Sequence, residues 1–137
     1  MTNGSKSGAI HVYGADPVLF GTASFFNQVI AGNGSTPNVS GYSKVGSALD
    51  LPKQVINDPD GITFTSNNLI TSQMKVLKIN GIQPSQATVI DTTYPISRQL
   101  FVVTNGAPSG LAKDFINFLM SSKGQQIISE EGLFPIV

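Results

Sequence analysis

The sequence runs to 137 residues, enough for one domain with a buried core, and eight basic residues cancel eight acidic ones. Only 12% of the chain is charged, with a single Arg (Arg98) and a single His (His11), so no basic stripe exists to grip nucleic acid. Cysteine is absent, which rules out disulfides and thiolate metal sites, and the apolar runs are too short for a membrane-spanning helix.

Residues 1–8 are polar and carry no apolar core of a signal peptide, so they read as a flexible N-terminal segment before a domain over 9–137. Ala9–Tyr13 is rich in β-formers and reads as a first strand. After a turn, Phe25, Phe26, Val29 and Ile30 fall at helical spacing, giving a helix over 22–31 closed by Gly32. Residues 31–44 are rich in Gly, Ser and Asn and read as a loop with a short strand at Val39. Two glycosylation tripeptides there, at Asn33 and Asn38, are of the kind chance produces in Ser-rich loops.

A second helix is expected from Ser47 to Asn57, with Pro52 in its first turn and Asp50 as its N-cap. Asp58-Pro-Asp-Gly is a turn, and strands follow at 61–66 and 74–79. Asn80-Gly81 then leads to a helical turn or two from Ser85. Arg98–Thr104 (RQLFVVT) is the most strand-like run of all. Ser109 can cap a helix over 110–121 whose face carries Leu111, Phe115, Phe118 and Leu119. Ser122 and Gln125 have capping-box spacing and open a last helix over 123–131, with Gly132 as its left-handed stop and Leu133 as the apolar contact. Strands alternating with helices mean α/β, a mixed sheet flanked by helices. Helices this short depend on packing, so the apolar faces at 25/26/29/30 and 111/115/118/119 are expected to be buried.

Little in the sequence argues for catalysis. One His and an isolated Glu130-Glu131 pair make no metal site, and the two glutamates read as a solvated helix end. His11 has no partner that sequence assigns, and Arg98 reads as half of a structural salt bridge. Nucleophile-elbow, Walker and Rossmann patterns are all missing, so neither an enzyme nor a cofactor is expected. The stretch Gly21-Thr22-Ala23-Ser24 is different. It sits where an apolar helix begins, and backbone N–H groups at such a place can cradle an anion. Thr22 acting as a plain N-cap accounts for the same residues.

The C-terminal half narrows the choice. The strand after Tyr94-Pro-Ile-Ser-Arg, the helix from Pro108-Ser-Gly-Leu to Phe118, then Gly124-Gln125 and Glu131-Gly132 with Pro135 resemble the phosphate-type periplasmic substrate-binding proteins of ABC transporters. Upstream, Lys75-Val-Leu-Lys-Ile-Asn-Gly and Asp58-Pro-Asp-Gly-Ile-Thr-Phe resemble the same family, in register over residues 10–137.

The resemblance implies a non-enzymatic solute-binding domain, a single lobe of a periplasmic-binding-protein fold, with phosphate or a similar small anion as ligand. It implies a permease partner and a periplasmic or cell-surface location. It also implies that the anion loop is degraded. In that family the loop begins with Arg and carries Ser-Gly-Thr. Here Gly21 and Thr22 match, Phe20 stands where Ser belongs, and the Arg position falls on Asp16 or Ala15. Gly21, Thr22, Ala23 and Ser24 are the residual candidates for anion contact. The alternative is a scaffold or interaction module that no longer binds anion. Without the family's first lobe, apolar area at Leu100–Val103 and Leu111–Leu119 would be stranded, and a homo-oligomer is the expected result.

Overall fold

A computed structural model of the chain describes residues 8–32 and 41–136. Residues 1–7, Val39 and both glycosylation tripeptides lie outside the described residues. Two compact units divide the chain, Met1–Lys75 and Val76–Val137.

The first unit runs β1 (His11–Ala15), α1 (Gly21–Ala31), β2 (Tyr42–Val45), a 3₁₀ turn (Ala48–Asp50), α2 (Leu51–Asn57) and β3 (Gly61–Thr63). Its sheet has the order β2-β1-β3 with both pairings parallel, Val12 opposite Tyr42 on one side and Ile62 on the other. Parallel neighbours need crossovers, and α1 and α2 supply them. β2 is a strand where the sequence reads as loop, because Ser43 and Lys44 are exposed edge positions with no apolar alternation to betray them.

Ala15, Ala23 and Leu51 are fully buried, with Tyr13, Phe20, Val45, Ala48 and Phe64 packed around them. The Phe26 and Phe64 rings stack at 4.2 Å between centroids, a contact worth about 0.5–1.5 kcal/mol beyond its area. The buried face of α1 is Ala23 and Asn27 with half-buried Phe25 and Phe26 beside them, while Val29 and Ile30 are exposed. The expected face is thus rotated, because the small Ala23 rather than the bulkier Val29 turns inward to join Ala15 and Leu51. Asn27 finds no hydrogen-bond partner for its buried amide, a cost the unit carries. Pro52 is buried in the first turn of α2, as its sequence implies, but Asp50 before it makes no side-chain cap bond; Ser47 caps the 3₁₀ turn instead, its Oγ accepting from the N–H of Leu49.

In the second unit, α3 (Gln86–Ile90) opens on a capping box between Ser85 and Thr88. Of the expected strand at 74–79 only a single bridge forms, Ile79 to Ile82 across the Asn80-Gly81 turn. The expected strand at 98–104 forms no ladder, and its residues are exposed. β-propensity describes fit to a neighbouring strand, and among the described residues none pairs with this run.

Helices α4 (Gly110–Leu119) and α5 (Ser122–Glu130) follow. Leu111, Phe115 and Phe118 are exposed rather than buried, since α4 turns Ile116 and Leu119 inward instead. Ser121, not Ser122, caps α5, its Oγ accepting from the N–H of Gly124. Two bonds close α5, from the N–H of Leu133 to the carbonyl of Ile128 and from Gly132 to Ser129, the paired pattern of a left-handed glycine stop.

Gly124 and Gln125 hold the α4–α5 corner. A Cβ on Gly124 would lie 2.2 Å from the carbonyl oxygen of Phe118 and 2.7 Å from that of Leu119. The buried Gln125 donates from Nε2 to the Leu119 carbonyl and accepts at Oε1 from the N–H of Ile136, both at 2.8 Å. It thereby pins the C-terminal segment to the corner. Gly124→Ala and Gln125→Ala should each destabilise this unit, by about 1–3 kcal/mol from overpacking or from lost hydrogen bonds. Urea denaturation measures this, and an unchanged midpoint would contradict it.

Candidate functional site

Because β1 is central and both neighbours run parallel to it, all three strands end at the same edge of the sheet. In open α/β sheets that edge is where ligands sit. α1 begins just beyond it, after a turn in which the N–H of Phe20 donates to the carbonyl of Asp16 at 3.0 Å. Phe20 is the N-cap residue and has no side chain able to cap, so the first turn lacks a side-chain acceptor. Thr22 is therefore inside the helix and is not its N-cap. Its hydroxyl lies 3.3 Å from that of Ser66, which follows β3.

A cleft of about 220 Å³ opens here, with Phe20, Gly21 and Thr22 on one side and Thr65, Ser66 and Leu69 on the other. The Thr65 hydroxyl is buried and unpartnered. The cleft thus gathers three hydroxyls and a helix start. Of the four candidate residues, Gly21 is exposed and Thr22 half-buried. Ala23 gives its side chain to the core, leaving only its N–H for a ligand. Ser24 is exposed, but its N–H is already donated to the Phe20 carbonyl at 3.0 Å. Only its hydroxyl remains.

The charge at this edge is balanced within the chain. Lys44 stands opposite Gly14 in the β1–β2 register, one residue from the strand end, and its Nζ lies 2.5 Å from Oδ2 of Asp16. Asp16 also accepts the N–H of Val18 at 2.8 Å. The Lys44 bond, and then that N–H, hold the Asp16 carboxyl below its ordinary value. Sequence reasoning missed Lys44, since 28 residues separate the pair and only the parallel register joins them.

His11 opens β1, at the opposite end of that strand, and has a partner after all. Oδ2 of Asp58 lies 2.6 Å from its Nδ1 and accepts from the Tyr13 hydroxyl at 2.8 Å. These bonds, His11 first, lower the Asp58 carboxyl, while the same carboxylate raises Tyr13. The cluster fastens β1 to the turn before β3. Glu130 and Glu131 are exposed at the end of α5, as expected, and no group of metal-binding side chains occurs among the described residues.

Comparison with known proteins agrees with this geometry. A family model described as a PBP superfamily domain matches residues 3–123. The phosphate-binding protein PstS 2 of Streptococcus pneumoniae is 34% identical over 76 residues, 56% of this chain and 26% of that protein. The phosphate-binding protein PstS of Pseudomonas aeruginosa is 26% identical over 93% of this chain and 42% of its own length. A phosphate-binding protein of a Streptococcus pneumoniae phosphate ABC transporter, solved by crystallography, superposes with a TM-score of 0.77 at 25% identity. It matches 91% of this chain and 51% of its own. A putative phosphate ABC transporter substrate-binding protein from Clostridium perfringens, solved with bound phosphate, shares the fold at a TM-score of 0.76 and 19% identity. The chain spans about half the length of these solved proteins and less of the curated relatives.

Asp16 and Asp58 set the acid limit of the first unit. Both carboxyls titrate lower folded than at their ordinary 3.8, so their stabilisation is complete above that value and is lost as pH falls through the folded values. The thermal midpoint should therefore drop steeply below about pH 4, and Asp58→Asn should flatten that drop. A thermal melt series across this range tests it, and an identical acid slope in the variant would contradict it.

Proposed function

The chain belongs to the PBP superfamily, and from that premise we propose that it is the anion-contacting lobe of a non-enzymatic solute receptor of the phosphate type. One observation carries the reading: an uncapped helix start faces the hydroxyls of Thr22 and Ser66 at the carboxyl edge of a parallel sheet. Anions favour such a place because the N–H groups converge and the helix dipole is positive there. The N–H groups of Gly21, Thr22 and Ala23 and the Thr22 hydroxyl are the donors, with the Ser24 hydroxyl one turn further. The relatives are named phosphate-binding proteins of ABC transporters, which supports a permease as the partner and an exported location.

The site binds its anion weakly. By the family likeness Phe20 occupies the position of a Ser donor and the Arg position falls on Asp16 or Ala15; neither supplies a cation, and the charge of Asp16 is cancelled by Lys44. Charge-assisted bonds contribute roughly 1.5–3 kcal/mol each, so losing two donors costs on the order of 4 kcal/mol. That is about a thousandfold, which moves a micromolar site to the millimolar range.

A second reading is an interaction module that has given up anion binding, favoured by the exposed Leu100–Val103 and Leu111–Phe118 surfaces. Calorimetric titration with phosphate separates the two. Weak saturable heat supports the receptor, its complete absence supports the module, and a dissociation constant below about 10 μM contradicts the weak site. Phe20→Ser combined with Asp16→Arg should tighten binding, because it restores both donors and leaves Lys44 without its counter-ion.

A further inference from the structure

The turn that leads into α1 already holds an anion, and the chain itself supplies it. The Asp16 carboxylate accepts the Val18 N–H at Oδ1, 2.8 Å away, and its Oδ2 lies 2.5 Å from Nζ of Lys44. The N–H of Leu19 adds to that hold. Turn N–H groups and an ammonium form the donor set that a free oxyanion takes from a protein. The Asp16 carbonyl accepts the Phe20 N–H, so this carboxylate belongs to the turn that ends at Gly21. Asn would close the same turn without a charge, so the charge of Asp16 exceeds what the turn requires. Its side chain is 24% exposed, and water screens that charge only in part.

Resting on the receptor reading above, we propose that Asp16 is a built-in competitor of the anion. Its carboxylate engages Lys44 and the turn N–H groups, and its negative charge opposes a second anion at the start of α1. A tethered group acts at an effective concentration on the order of millimolar or more, which a dilute free anion does not overcome. The weak site then has a second cause besides its missing Ser and Arg donors. The two causes respond differently to substitution. Lost donors return only when donors are added, whereas competition ends once the carboxylate charge is removed and Lys44 is released.

Phosphate titrations followed by backbone amide shifts test this on the chain, Asp16→Asn, Lys44→Met and the double variant. Asp16→Asn keeps an oxygen for the Val18 N–H, and phosphate should bind it about tenfold more tightly. Lys44→Met leaves the carboxylate uncompensated and should weaken binding by a similar factor. The double variant loses one charge of each sign and should return to within about threefold of the original chain. Unchanged or weaker binding by Asp16→Asn would overturn the proposal, as would a full gain that persists in the double variant. If either occurs while saturable shifts remain at Gly21, Thr22 and Ala23, the receptor reading stands without its competitor. If no variant shows those shifts, both fall.

Discussion

The parallel pairing of β1 with both of its neighbours is the constraint on which the first unit depends. It forces two helical crossovers and brings every strand to an end at one edge. It also sets the start of α1 beside that edge. The same register places Lys44 next to Asp16 and lets Ser66 reach Thr22. A hairpin-built sheet of the same residues would alternate its strand ends and scatter all four. The site is therefore a consequence of topology before it is a matter of side chains.

That topology gathers N–H groups and hydroxyls at one place while the charge beside them is cancelled. N–H groups and hydroxyls survive at the helix start, but Lys44, the nearby cation, is held by Asp16. Such an arrangement still favours an anion through dipoles, whose effect is modest in an open, solvated cleft. Under the proposed function the family relation and weak anion binding are compatible, because backbone geometry carries the one and side chains the other.

Local signals in the sequence were largely legible. Pro52 in the first turn of α2, the turn at Asn80-Gly81, the Ser85 start and the Gly132 stop all stand where their chemistry implies. Each involves residues within one turn of each other. What was hidden depends on partners far along the chain. β2 has no apolar alternation, and Lys44 and Asp58 reach their partners only across the sheet. Residues 98–104 failed in the opposite sense, since strong β-formers make no ladder without a neighbour. The candidate residues 21–24 were singled out from their place at a helix start and then from family likeness, and the structure gives three of them other partners: Ala23 the core, the Ser24 N–H the helix, Thr22 the Ser66 hydroxyl.

The central claim is that the first turn of α1 is an anion cradle without a cation. Backbone amide chemical shifts followed by nuclear magnetic resonance, as phosphate is raised through the millimolar range, address it most directly. The account predicts saturable shifts concentrated at Gly21, Thr22 and Ala23. Shifts scattered over the lysines, or none at the start of α1, would contradict it.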